Sequence, residues 1–222
     1  MTMTTTTGLD PQVRRRDPTG VRADILRVAT AEFVEKGFGG ARIDEIAART
    51  HTTKRMIYYY FDSKEGLFTS VMDRSFDEFW RQQSMLDVNE LDPLAALRHF
   101  AEISFDAFMA NADFVRLLAV ENSRAADHFA TRAARNPPAS GPFDVVPGIL
   151  ARGLAAGVFR SDIDAIDIRL LIVSYASFRT VFRSTVSNVF GRDMLNPERL
   201  SFYRKLAGDM IVATMTSIPD EC

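Results

Sequence analysis

Residues 43–68, IDEIAARTHTTKRMIYYYFDSKEGLF, carry the pattern that decides the fold. Ile43, Ile46 and Ala47 recur at three- and four-residue spacing, which predicts the buried side of a short helix. Thr50-His51-Thr52 comes next as a tight turn. Histidine accepts a left-handed backbone more readily than most residues, so His51 is expected to serve the turn and not a metal or a base. A second short helix then carries Lys54 and Arg55 at its front and Tyr58, Tyr59 and Tyr60 at its end. Met56, Ile57, Tyr60 and Phe61 supply its core-facing side. Asp62-Ser63-Lys64-Glu65 opens a third helix: Asp62 or Ser63 can cap it, and Glu65 suits its positive end. Two short helices so joined, the second basic at its front, form the device that lays a helix in the DNA major groove while flanking groups hold phosphates.

Towards the N-terminus, Val21, Ile25, Val28, Ala29 and Phe33 keep helical spacing. Thr19 is the expected N-cap, Gly37 the left-handed C-cap, and Phe38-Gly39-Gly40 a loop. Residues 1–18 are Thr-rich, then basic, and are expected to be a disordered arm. Residues 1–70 hold eleven Lys/Arg against nine Asp/Glu in a chain of net charge −2. Bulk charge therefore says little, and the placement of Arg14, Arg15, Arg16, Arg22, Arg42, Lys54, Arg55 and Lys64 says more.

Towards the C-terminus the chain stays helical. A helix over 63–84 carries Leu67, Val71, Phe76, Phe79 and Trp80. Pro93 suits the first turn of a helix to about 110, and further helices are expected over 111–124, more briefly over 125–134, and over 143–156. NPPASGP (136–142) is the strongest linker signal. A turn at 157–164 leads into a long apolar helix over 165–190, ended by Gly191, and Asn196-Pro197 starts a last helix to about 217. No stretch alternates with period two. The fold class expected is all-α: an N-terminal three-helix domain with the helix-turn-helix at 19–66, and a C-terminal helical bundle at 67–218.

Composition narrows the function. No apolar run reaches the roughly 18 residues that span a bilayer, and the N-terminus lacks the apolar core of a secretory signal. The one cysteine is Cys222, so no intrachain disulfide framework is possible. A reducing cytoplasm is expected. The three histidines, His51, His99 and His128, are scattered. With no Glu-x-x-His pair and no phosphate loop, no catalytic residue, metal or cofactor is expected.

Ile46-Ala47 with the later segment Ile57-Tyr58-Tyr59-Tyr60-Phe61-Asp62-Ser63-Lys64-Glu65-Gly66-Leu67 resembles the DNA-binding domain of TetR-type (tetracycline-repressor-like) transcriptional regulators. The resemblance implies that Thr53, Lys54 and Arg55 face base edges. It also implies that Tyr58, Tyr59, Tyr60 and Lys64 hold phosphates, with Arg42 touching the backbone. Two departures stand out: His51 replaces the usual turn glycine, and Arg42 replaces the usual threonine cap. Asp44 would repel phosphates, and is expected to point away from DNA or to orient an arginine.

The resemblance further implies a homodimer on an inverted-repeat operator, released by a small-molecule effector. Phe178, Phe182, Phe202, Leu206 and Met210 on the last two helices are the expected dimer surface, with Ser174, Ala176 and Ser177 allowing close approach. Trp80, His99, Phe105, Phe114, Glu121 and Tyr175 are the expected effector contacts. The residues leave open whether the regulator represses or activates, and a sensor-less architectural DNA-binding protein is the rival of a different class. Effector, operator and regulated genes are not legible.

Overall fold

The computed structural model describes residues 18–83, 88–124 and 145–216, which form ten helices and no strand. Residues 1–17 of the expected arm, the short helix expected over 125–134 and the Pro-rich linker lie outside the described residues.

Helix α1 (Pro18–Gly40) starts one residue earlier than expected. Pro18 occupies its first turn, where a missing N–H costs nothing, and Thr19 lies inside the helix and does not cap it. Gly37 is not a left-handed cap either. Its φ of 66° and ψ of 177° belong to a region open essentially to glycine alone, and they break the helix. Phe38-Gly39-Gly40 is then one more helical turn and not a loop. That turn sets the Phe38 ring 5.4 Å from Phe68, edge-on, and 6.1 Å from Phe33.

Helices α2 (Ile43–Arg49) and α3 (Lys54–Phe61) are seven and eight residues long. Each sends only two or three side chains inward: Ile43, Ile46 and Ala47 from α2, and Ile57 and Phe61 from α3. They meet Ile25, Val28, Ala29 and Phe33 of α1 in one buried cluster. Leu67, Phe68, Val71 and Met72 of α4 (Lys64–Gln83) complete it.

Helix α4 is shared by two cores. Its second half sends Phe79, with Phe76 and Trp80, into an aromatic cluster with α5 (Pro93–Ala110), α6 (Ala112–Asn122), α8 (Ala165–Val181) and α10 (Pro197–Thr216). A third cluster joins α5, α7 (Val145–Ala155), α8 and α10. Helices α5 and α10 are also clamped by charge. Arg204 reaches Glu102 and Asp106 at 2.7 Å, and Arg98 pairs with Asp209. Arg152 of α7 donates to the carbonyls of Val88, Asn89 and Leu91, pinning the loop before α5.

The long helix expected over 165–190 is two helices. Phe182 leaves helical geometry at φ −100°, ψ 13°, and α9 (Arg183–Phe190) sets off from there. Neither proline nor glycine marks this bend. An ion pair braces the chain beyond it: Arg183 forks onto Asp193 at 2.7 and 2.9 Å. Gly191 ends α9 in the left-handed conformation, as expected. Asn196 accepts from the Glu198 N–H at 3.0 Å and so caps α10.

The joint between α3 and α4 is a close crossing of backbone on backbone. Asp62 has φ +62°, and the Phe61 carbonyl comes so near α4 that a Cβ on Gly66 would lie 2.0 Å from its oxygen. Only glycine fits there without moving the backbone. Gly66→Ala is expected to cost about 2–3 kcal/mol, as overpacked sites do. Gly39→Ala, where a Cβ meets nothing within 4 Å, should be near neutral in the same thermal melts.

Candidate nucleic-acid interface and sensor core

The outward face of α3 begins with its cap. Thr53 has extended backbone, and its Oγ1 accepts from the Met56 N–H at 3.2 Å. Its hydroxyl is thus engaged in holding the helix, leaving the O–H and the methyl to face outward. Lys54 and Arg55 are exposed. Lys54 reaches back to Asp44, at 3.2 Å from Oδ1 and 3.3 Å from Oδ2. Asp44 does not orient an arginine, one of the two expectations for it. It tethers a lysine, because α2 and α3 cross with these two first-turn side chains adjacent. No carboxylate lies within 4 Å of Arg55 among the described residues, and its guanidinium stands in solvent.

The three tyrosines divide. Tyr59 is 76% exposed and Tyr58 37%, whereas Tyr60 is half-buried and packs on the first core. Tyr59 and Tyr60 meet edge to face at 5.4 Å. The α4 start is capped by Ser63, not Asp62: Ser63 Oγ accepts from the Gly66 N–H at 2.9 Å. Lys64, at the first position, holds its ammonium 4.9 Å from the Phe38 ring. Arg42 is exposed, and its backbone is fixed elsewhere. His51 has φ +50°, the left-handed turn residue expected.

What fixes Arg42 is a residue that lies outside the motif. Glu32 is 1% exposed, among the apolar side chains of α1. Its carboxylate accepts from the Arg42 N–H at 3.2 Å, the Lys36 ammonium at 2.9 Å and the Arg49 guanidinium at 3.4 Å. One buried acid thus holds both ends of α2. Burial pushes its carboxyl up, but Lys36, the Arg42 N–H and Arg49 together outweigh that and hold it below its ordinary 4.5. A signal was present in the sequence: an acid on the apolar stripe at Val28, Ala29, Glu32 and Phe33, with a lysine four residues on.

The expected effector contacts do not all converge. Trp80, Phe105, Phe114 and Tyr175 meet in the aromatic cluster, with Phe79 against Phe114 at 4.7 Å and Phe105 against Tyr175 at 6.0 Å. His99 and Glu121 depart from the expectation. His99 is half-buried on α5 but does not line the cavity of about 20 Å³ enclosed by Trp80, Phe100, Ser104, Phe108, Arg169, Ile172 and Val173. Glu121 points to the other end of the domain. There it is buried beside Arg124, whose guanidinium lies 3.5 Å from the Phe38 ring and 5.1 Å from that of Phe68. Helical spacing placed both residues on the right helices and said nothing about which end of the bundle each would reach.

Of the expected dimer residues, Phe178, Phe182, Phe202 and Met210 are exposed, and Phe178 stacks on Phe182 at 4.7 Å. Leu206 is half-buried. Ile166 and Leu170 extend the same apolar surface along α8. Ala176 is fully buried within its own subunit, so it does not ease the approach of another helix.

A basic two-turn helix presented on a three-helix support, with an all-helical domain behind it, defines a DNA-binding regulator of the helix-turn-helix class. Residues 25–71 match the model of bacterial regulatory proteins of the tetR family, and residues 93–211 match the tetracyclin repressor-like C-terminal domain. The chain belongs to the TetR family. It is 32% identical over 200 residues to the HTH-type transcriptional repressor NicS of Pseudomonas putida, covering 89% of this chain and 93% of that one. Over 147 residues it is 26% identical to the HTH-type transcriptional repressor KstR2 of Rhodococcus jostii, covering 65% and 71% of the two chains. Among solved structures, the transcriptional regulator SCO4942 of Streptomyces coelicolor superposes with a TM-score of 0.65 at 25% identity, covering 88% of this chain and 98% of that one. KstR2 of Mycobacterium tuberculosis shares the fold at a TM-score of 0.65 and 20% identity, covering 93% and 98%.

Because the Glu32 carboxyl is held low, its contribution to stability is fully present above its ordinary value and is lost as pH falls through the lower folded value. Glu32→Gln should therefore unfold more easily at pH 7, by about 1–3 kcal/mol. In denaturant titrations the gap between the two proteins should narrow below pH 4.5. A gap that does not change with pH would mean that shape and not charge makes the contribution.

Proposed function

We propose that the protein is a homodimeric transcriptional repressor that binds an inverted-repeat operator and is released by a small organic effector. The observation that carries this is the outward face of α3, where Thr53, Lys54, Arg55, Tyr58 and Tyr59 stand exposed while Ile57 and Phe61 anchor the opposite side. Arg55, with no carboxylate within 4 Å among the described residues, is the residue assigned to a base edge. An arginine fork on guanine is the commonest specific contact and discriminates by about 1–3 kcal/mol. Lys54 gives up Asp44 when it engages DNA, an exposed pair that is weak in any case. Tyr58 and Tyr59 donate phenolic O–H groups to phosphates, Tyr60 buttresses them, and Lys64 and Arg42 hold the backbone at either side.

Repression is supported by the relatives, two of which are named transcriptional repressors. Dimerisation is supported by the exposed apolar surface of Phe178, Phe182, Phe202 and Met210, and by the reach of a single short helix, which reads only a few base pairs. The reading places the protein in the cytoplasm with the DNA it controls. No helix among the described residues is long and apolar enough to cross a membrane. The proposed domains are 19–66 for DNA binding, and 67–218 for sensing and pairing.

Selection of duplexes from a random pool by the full chain tests the reading. An inverted repeat is expected, with affinity falling steeply in salt, and a pool returning no preferred sequence would refute it. Arg55→Ala should relax base preference at one position in each half-site. Lys64→Ala should weaken all sequences alike and reduce the salt slope by about one per site. Phe178→Glu with Phe202→Glu should give a monomer in sedimentation and lose operator affinity. A dimer that persists would move the pairing surface elsewhere.

A further inference from the structure

Asp44 sets a negative charge at the front of a surface assigned to a polyanion. It is the second residue of α2, and its carboxylate lies 3.2 Å from the ammonium of Lys54, the first residue of α3. Both side chains are open to solvent, Asp44 at 73% and Lys54 at 50%. Of the cations assigned to DNA, Arg42, Lys54, Arg55 and Lys64, Lys54 alone has a carboxylate within 4 Å among the described residues. Asp44 does no capping: α2 starts from Arg42 without a side-chain cap, and the side-chain donor to Asp44 is Lys54. Glu45, one residue on, already supplies an acid that suits a helix start. It serves α1 as well, close enough to Lys36 to favour the charged ammonium.

An acid so placed costs affinity for every duplex. About 6 Å from a phosphate in water, one carboxylate weakens binding about threefold, and a dimer carries two. When Lys54 turns to DNA, the carboxylate also loses its counter-charge. In the major groove only exocyclic amino groups, cytosine N4 and adenine N6, can donate to it. Guanine O6 and N7 and thymine O4 are acceptors and repel it. A G·C pair shows both kinds of group side by side: guanine offers two acceptors to an ammonium, and cytosine one donor to a carboxylate. Lys54 and Asp44 carry the complement, a cation and an anion one hydrogen bond apart at the start of α3.

We propose that Asp44 is a specificity-determining residue that reads cytosine. On the operator the ion pair opens onto one G·C base pair in each half-site. The Lys54 ammonium donates to guanine, and the Asp44 carboxylate accepts from the cytosine N4 amino group. This rests on the reading of α3 as the recognition helix, and adds a base reader from α2. Repulsion by phosphates is common to all sequences, whereas the amino group offsets it only where cytosine stands. The acid therefore lowers binding to random DNA more than binding to the operator. The ratio of those two affinities is what a regulator needs among the many competing sites of a genome.

The full-length protein, Asp44→Ala and a Glu45→Gln control each select duplexes from a random pool. Kd is then measured on the wild-type operator and on a scrambled duplex of equal length. Wild type and Glu45→Gln should both select cytosine, opposite guanine, at one matching position in each half-site. Asp44→Ala should show no preference there. It should bind the scrambled duplex about tenfold tighter than wild type, two carboxylates at about threefold each, and gain nothing on the operator. Its Tm should stay within about 3 °C of wild type, since the pair is exposed and weak. An Asp44→Ala protein that keeps the cytosine preference, or that gains equally on both duplexes, overturns the proposal, because the acid then only repels. If wild type and Asp44→Ala select the same operator, only this inference falls; if wild type selects none, the regulator reading falls with it.

Discussion

A helix of eight residues cannot hold its own shape in water, since nucleation consumes most of what its few hydrogen bonds return. Helix α3 exists because Ile57 and Phe61 are buried against α1 and α4. Everything the recognition surface does derives from that dependence. Its direction is set from outside, by the Thr53 cap at one end and by the close crossing at Gly66 at the other. Its neighbour α2 is held in turn by the buried Glu32 carboxylate. The outward residues are free to be basic and aromatic because they contribute little to keeping the helix in place.

The second half of the chain divides its apolar residues between two tasks. The inner faces of α5, α8 and α10 close two cores, and the ion pairs of Arg98 and Arg204 fix how α5 and α10 lie together. The outer face of α8 keeps Ile166, Leu170, Phe178 and Phe182 in solvent. An isolated subunit leaves that surface wet, and burying it is what the proposed association would return. The bend at Phe182 separates this surface from α9, which turns away with Val189 and Phe190 exposed on it.

Helical periodicity and turn chemistry made most of the helices legible, with boundaries within a residue or two at 43–49, 54–61 and 93–110. The positive φ of His51 and the Asn196 cap obey the same local rules. The illegible features share a physical character. The bend at Phe182 and the continuation past Gly37 depend on distant partners, Asp193 in one case and the Phe33–Phe68 pair in the other. Glu32, Asp44 and Glu121 are charged residues whose meaning lies in what faces them across helices, and spacing along one helix does not encode that. The motif named the helix proposed to face DNA. It did not show that one lysine of that helix would be tethered and one tyrosine turned inward.

The Phe38 ring lies near two cations from different parts of the molecule, the Lys64 ammonium at 4.9 Å and the Arg124 guanidinium at 3.5 Å. Two positive groups sharing one quadrupole repel each other while each is drawn to the ring. A phosphate that drew Lys64 away would leave the ring wholly to Arg124 and remove the repulsion, tightening the seam between α6 and the end of α1. By thermodynamic reciprocity, whatever loosens Arg124 from that seam returns Lys64 to the ring and weakens its hold on the phosphate.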